Sequence, residues 1–206
     1  MIFYYAPKTV SVASQIALEE AGAEYELRKL DFATVEQRSA DYLKINPKGR
    51  VPALVVDAGI ITETPAILAY IAQTYPEAQL APLDDNFQFA KMQEFNSYLA
   101  STVHVAHAHK IRGTRWVDDE AAIEAMKAKV PQTMHECFQL IENEMYVGPW
   151  VLGENFSVSD CYVFCVSTWL KGDGVDINDF ARIADHNKRM RERTSVQKIL
   201  ALHGIP

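Results

Sequence analysis

The chain has 206 residues, 49% of them hydrophobic and 23% charged, enough apolar material for one large or two small domains to bury a core without disulfide or metal staples. That composition excludes disorder, collagen-like repeats and low complexity. The formal charge of −7, with no long Lys/Arg run, argues against nucleic acid as a partner, and no apolar run approaches the ~20 residues that a membrane helix needs.

Met1-Ile2-Phe3-Tyr4-Tyr5 lacks a basic start and reads as a strand, so no signal peptide is expected. Short β-type runs then alternate with helical patterns. Helix is expected over Val12 to Ala21, strand over Tyr25 to Leu30, helix over Val35 to Leu43, a hairpin over Ala53 to Val56 and Ile60-Ile61, and helix over Pro65 to Tyr75. This β-α-β-α-β-β-α order makes residues 1–76 one α/β domain. Pro76 to Asp85, with two prolines and two aspartates, ends the last helix, so residues 77–85 read as a linker and residues 86–206 as an all-α domain. In the latter, Met92, Phe95, Leu99, Thr102, Val103 and Ala106 share one helical arc, with Ser97 and Ser101 on another that invites close approach of a second backbone. Helices follow at about Asp119–Tyr146, Ser157–Lys171, Asp179–Glu192 and Ser195–Leu202, the second opened by a Ser157-to-Asp160 capping box.

Four stretches carry chemistry. In Asn46 to Leu54, Gly49 and Pro52 force a sharp turn with Val51 extended before proline. A cis Val51–Pro52 bond would leave the Val51 N–H and C=O free to pair with an extended peptide-like ligand, although an ordinary turn before a strand reads as well. In Glu63-Thr64-Pro65, Thr64 reads as N-cap and Pro65 as the first helical residue, so free N–H groups there suit an anion and Glu63 an ammonium, or nothing beyond a cap is present. His104, His107 and His109 cannot converge on one ion, because on a helix His109 lies about 140° from His104, and no metal is expected. Lys110 to Trp116 offers Arg112 and Trp116 to a ligand, or simply a basic helix end. Cys137, Cys161 and Cys165 form no C-x-x-C and suit reduced thiols in a cytoplasm.

Taken in this order, Tyr4-Tyr5-Ala6-Pro7, Ile16 to Gly22, Ile45 to Leu54 and Glu63 to Leu68 resemble the cytosolic glutathione transferases over essentially the whole chain, the bacterial beta class most. The resemblance implies a thioredoxin-like N-terminal domain, a cis-proline at Pro52, a homodimer, and glutathione as co-substrate. In it Val51 pairs with the cysteinyl backbone, Glu63 and Thr64 take the γ-glutamyl end, Arg50 lies near the glycine carboxylate and His104 borders the sulfur. It also places His107, Arg112 and Trp116 at a second-substrate pocket. The beta class has a cysteine where this chain has Val10, so no mixed disulfide can form from that position. Ser11, with Thr9 second, is then the expected hydroxyl donor to the thiolate, unless both merely cap the helix. The implied activity is conjugation of glutathione to small electrophiles. A non-catalytic scaffold or stress-response protein on the same fold is the alternative, and a glutathione-dependent isomerase or dehalogenase a third.

Overall fold

The computed structural model describes residues 1–206. Strand β1 (Ile2–Tyr5) turns Phe3 and Tyr5 inward while Ile2 and Tyr4 stay half-exposed, the period-two pattern of a sheet with one face covered. It pairs in parallel with β2 (Glu26–Lys29) and antiparallel with β3 (Ala53–Val56), so that Phe3 stands between Leu27 and Leu54. β4 (Gly59–Thr62) adds antiparallel to β3, giving the order β2-β1-β3-β4. The parallel pair requires a crossover, which α1 (Ser11–Glu20) supplies. β2 is exposed throughout, and its Glu26, Arg28 and Lys29 charge the sheet edge against pairing with other chains. The hairpin turns on Asp57-Ala58, with Gly59 at φ +143°, a conformation only glycine adopts freely.

The helix expected over Val35 to Leu43 is divided. Val35 adopts φ +60°, one 3-10 turn spans Glu36–Arg38, and Ser39 is extended so that its hydroxyl caps α2 (Ala40–Ile45) at Tyr42 N–H. α3 (Thr64–Thr74) starts one residue earlier than expected: Glu63 holds the cap position without a side-chain bond, and Thr64 is already helical.

The second half is helical. Asp85, at the end of the proposed linker, caps α4 (Asn86–Tyr98) by accepting from Phe87 and Gln88 N–H. A π-turn over Leu99–Val103 carries the helix into α5 (His104–Ala108). Met92, Phe95, Leu99, Val103 and Ala106 are buried as the stripe requires, but Thr102 is exposed. The wider turn rotates it off the stripe, which a uniform 3.6-residue wheel does not foresee. α6 (Glu120–Leu140) is followed by α7 (Val158–Ser167), buried along its full length and opened by the expected capping box. α8 (Ala181–Arg191) and α9 (Thr194–His203) complete the chain. α1 packs on α7 and α9, and one hydrophobic core runs through both halves. The stretch 77–85 changes the architecture without interrupting that core, since Leu80 is buried and its C=O accepts from Val158 N–H at 2.9 Å. The result is a thioredoxin-like α/β half joined to an all-helical half.

Candidate functional site

A cavity of about 430 Å³ lies between the two halves. One wall is Gly49 to Pro52. Gly49 sits at φ +60°, and a Cβ there would come within 2.8 Å of the Gln37 carbonyl, so no other residue fits without displacing backbone. The Arg50 carbonyl is pinned twice, by the Tyr42 hydroxyl at 2.6 Å and Asn46 Nδ2 at 2.7 Å, both side chains being buried. Burial pushes the Tyr42 phenol up to about 12, which keeps its proton available for this bond. The Val51–Pro52 bond is cis. The Val51 side chain packs with Ala6, Leu30 and Tyr42, while its backbone N–H and C=O find no partner in the chain.

Across from this wall, Glu63 and Thr64 also line the cavity. Glu63 is a non-glycine residue at φ +74°, a strained backbone of the kind that persists where a site over-determines it. Its carboxylate is exposed and paired with Lys48 Nζ, which also bonds Thr62 Oγ1 at 2.6 Å. Thr64 is buried, with its hydroxyl unbonded within the chain.

The third wall is the loop ahead of α1. Lys8, at φ +60°, donates its N–H to His203 Nδ1 at 3.2 Å, and His203 Nε2 donates to Gln15 Oε1 at 2.7 Å. The ring is therefore neutral, and burial lowers its pKa to about 4. The Cys165 thiol donates to the Thr9 carbonyl at 3.7 Å, so the helical half grips the loop at two points. Burial raises the thiols of Cys161 and Cys165, the latter to about 12, which suits packing and not redox chemistry. Val10 N–H has no acceptor in the chain. The expectation for Ser11 is corrected here. Ser11 is fully buried and outside the cavity lining, because as the first helical residue it turns back toward β1, where its Oγ lies 3.1 Å from Ala6 O and 2.7 Å from Thr9 Oγ1. Thr9, in contrast, lines the cavity and bonds Ala6 O at 2.8 Å.

The helical half closes the cavity with His104, His107, Arg112 and Trp116. His104 and His107 both lie against Trp169, the latter stacked at 4.3 Å, whereas His109 meets Trp116 edge-on at 4.4 Å, so the three rings do not converge. Burial, then the charges of His107, Arg115, Arg112 and Arg50, lowers His104 to about 4 and keeps it uncharged. His107 Nδ1 is 2.6 Å from Oδ2 of the buried Asp173, whose other oxygen lies 3.5 Å from Lys110 Nζ. Ten of the eleven site residues expected from sequence therefore line this one cavity, Ser11 being the exception.

The family model described as Glutathione S-transferase, N-terminal domain, matches residues 1–73. Glutathione S-transferase GstA of Escherichia coli O157:H7 is 30% identical over 207 aligned residues, 100% of each chain. The chain belongs to the glutathione S-transferase family. This transferase superposes on a glutathione transferase homologue from Sulfitobacter, solved with bound glutathione, with a TM-score of 0.95 at 47% identity, over 100% of this chain and 98% of that one. On BphK, a bacterial glutathione S-transferase solved as a ternary complex, the TM-score is 0.87 at 31% identity, over 99% and 100% of the two chains. No helix of the transferase is long and apolar enough to cross a membrane.

Sequence reading passed over Lys8, Phe32, Arg115, Trp169 and Asp173, the first four on the cavity wall and the last holding His107. Arg115 lay within a stretch already singled out as basic. Asp173 had no local signal, since only the fold brings it to a histidine 66 positions away.

Proposed function

We propose that this protein binds glutathione as an extended co-substrate, stabilises its thiolate and conjugates it to a small electrophile, as a beta-like transferase without the class cysteine. The observation that carries the reading is the unpaired Val51 backbone, set in one cavity with Glu63 and Thr64 on one side and the free Val10 N–H on the other. The cysteinyl residue of glutathione pairs with Val51 as an added strand would. The Thr64 hydroxyl and Glu63 carboxylate take the γ-glutamyl end, with Lys48 yielding part of its hold on Glu63, and Arg50 meets the glycine carboxylate.

The sulfur then lies near Thr9 and Val10. Two hydroxyl protons, on Thr9 and Ser11, serve three short contacts among Thr9, Ser11 and Ala6 O. When Ser11 donates to Ala6 O, the Thr9 proton is released for the thiolate without orphaning the carbonyl. Thr9 is thus the donor and Ser11 its positioning residue, assisted by Val10 N–H and the positive end of α1. With valine at position 10 the sulfur attacks the electrophile directly, and no protein–glutathione disulfide intervenes.

The test is a titration of thiolate absorbance with glutathione saturating. Thr9→Val is expected to raise the midpoint by about one unit, the equivalent of one charge-assisted hydrogen bond. Ser11→Ala is expected to cost about 1 kcal/mol of stability through its lost buried bond and to move the midpoint less. A midpoint unmoved by Thr9→Val leaves the backbone N–H groups as the sole activators. Absence of glutathione binding to the wild type by calorimetry supports the scaffold reading instead.

A further inference from the structure

The chain is acidic overall at −7, yet its cavity is basic. Lys8, Arg50, Arg112 and Arg115 line it against a single carboxylate, Glu63, which Lys48 already pairs. Arg50, Arg112 and Arg115 make no ion pair and no side-chain hydrogen bond within the chain. In the glutathione complex proposed above, Arg50 meets the glycine carboxylate, and the thiolate takes Thr9 and Val10. Arg112 and Arg115, on the segment beyond α5, remain without an anion. A helix C-terminus accounts for one nearby cation at about 0.3–1 kcal/mol. It does not account for a second guanidinium, Arg115, lining the same cavity as Arg112 and Arg50 with no carboxylate paired to it.

Two aromatic side chains flank the pair. The Arg112 guanidinium lies 6.0 Å over the Phe32 ring, and Trp116, 47% exposed, stands beside it on the cavity wall. Two guanidiniums bind a carboxylate through parallel N–H donors, and aromatic faces hold a planar body. We propose that Arg112 and Arg115 recognise an anionic group on the second substrate, so that the electrophiles this enzyme prefers are planar aromatic carboxylates. This specificity rests on the glutathione-conjugating reading. The chemical step is a substitution: the thiolate sulfur forms a bond to the ring carbon that bears a halide, and the halide leaves with its bonding pair, so no oxidant or reductant enters.

The experiment compares 4-chloro-3-nitrobenzoate with its neutral amide as electrophiles. The expected wild-type kcat/KM, corrected for the uncatalysed rates, favours the carboxylate at least tenfold, and the preference shrinks as ionic strength rises. Arg112→Gln and Arg115→Gln should each cut the carboxylate-to-amide ratio, mainly through KM of the carboxylate, and Arg115→Glu should reverse it. Arg115 is exposed, so its variants are expected to fold, which thermal melting checks. Equal wild-type rates for the two compounds, or a ratio unchanged in all three variants, overturns the proposal. Quenching of tryptophan fluorescence by each compound, measured without turnover, gives a second readout: selective quenching by the carboxylate, lost in Arg115→Glu, supports the anion site, and equal quenching refutes it. Calorimetric titration with glutathione alone decides the conjugating reading separately, so failure of one is not mistaken for failure of the other.

Discussion

Glu63 carries a backbone cost at the cavity wall. Its φ of +74° is tolerated by glycine and costs a side-chain-bearing residue about 1–3 kcal/mol. Glu63→Gly is therefore expected to raise stability by about 1 kcal/mol, the relief of strain exceeding the extra entropy of glycine in the unfolded chain. Because the carboxylate is exposed and already shared with Lys48, its loss should weaken glutathione binding by about 1 kcal/mol, well short of what a buried ion pair would lose. Paired urea melts and calorimetry check both signs. A variant that is less stable and binds equally well would remove Glu63 from the site. Asn46 and Tyr42 act by different means: by holding the Arg50 carbonyl from two sides they fix the direction in which Val51 presents its backbone.

At the scale of elements, α7 organises the helical half through its first turn. Asp160, fully buried, accepts from Val151 N–H at 2.8 Å, Ser157 N–H at 2.7 Å and His186 Nε2 at 3.0 Å. Asp160→Ala leaves these donors buried without an acceptor, and a loss of about 3 kcal/mol is expected, with glutathione affinity of the remaining folded protein unchanged. A denaturant midpoint within error of the wild type would contradict this. That capping box was legible in the sequence because both its partners lie within one turn. So were β1, β3 and β4, apolar runs with glycine or proline close by, and the Gly49 to Pro52 wall, whose conformation those residues dictate locally. What was not legible depends on distant neighbours. The π-turn over Leu99–Val103 moved Thr102 to solvent, the extended Ser39 divided a helix that periodicity had continued, and Ser11 was spent on Ala6 O, a bond visible only once β1 and α1 are placed together. Asp173 met His107 by the same long-range route.

For the whole molecule, the exposed side of α4 is where a second copy is expected to dock. Phe87, 70% exposed, shares a face of that helix with Ser97, and Ser101 continues the same side into the π-turn. The wild type should sediment as a dimer and Ser101→Trp as a monomer; a dimeric variant would place the interface elsewhere. The two halves of one chain are joined by groups that titrate. The Glu20 carboxyl, though burial raises it, is held below its usual range by hydrogen bonds from Arg193 and Ser195, which tie α1 to α9. His203 at the end of α9 and His104 in the cavity are pushed the other way from a charged state, each to about 4 by burial. An unfolded histidine titrates near ~6.5. Between the two values the unfolded chain binds the proton and the folded chain does not, so each histidine leaves stability intact above pH ~6.5 and removes it as pH falls toward 4, with a slope of up to about 1.4 kcal/mol per pH unit. Urea unfolding at several pH values between 7.5 and 5 should show stability declining with acid, and His203→Gln should flatten that decline by up to one proton's worth. His203 is also the acceptor for Lys8 N–H, so its protonation loosens the loop that carries Thr9 and Val10. Acid should therefore weaken glutathione binding by the folded wild type only as pH nears 4, where folded His203 takes up its proton, and more steeply than in His203→Gln, where an amide oxygen replaces the titrating nitrogen. Parallel pH profiles for the two proteins, in stability and in binding alike, would show that the α9 histidine does not couple protonation to the site.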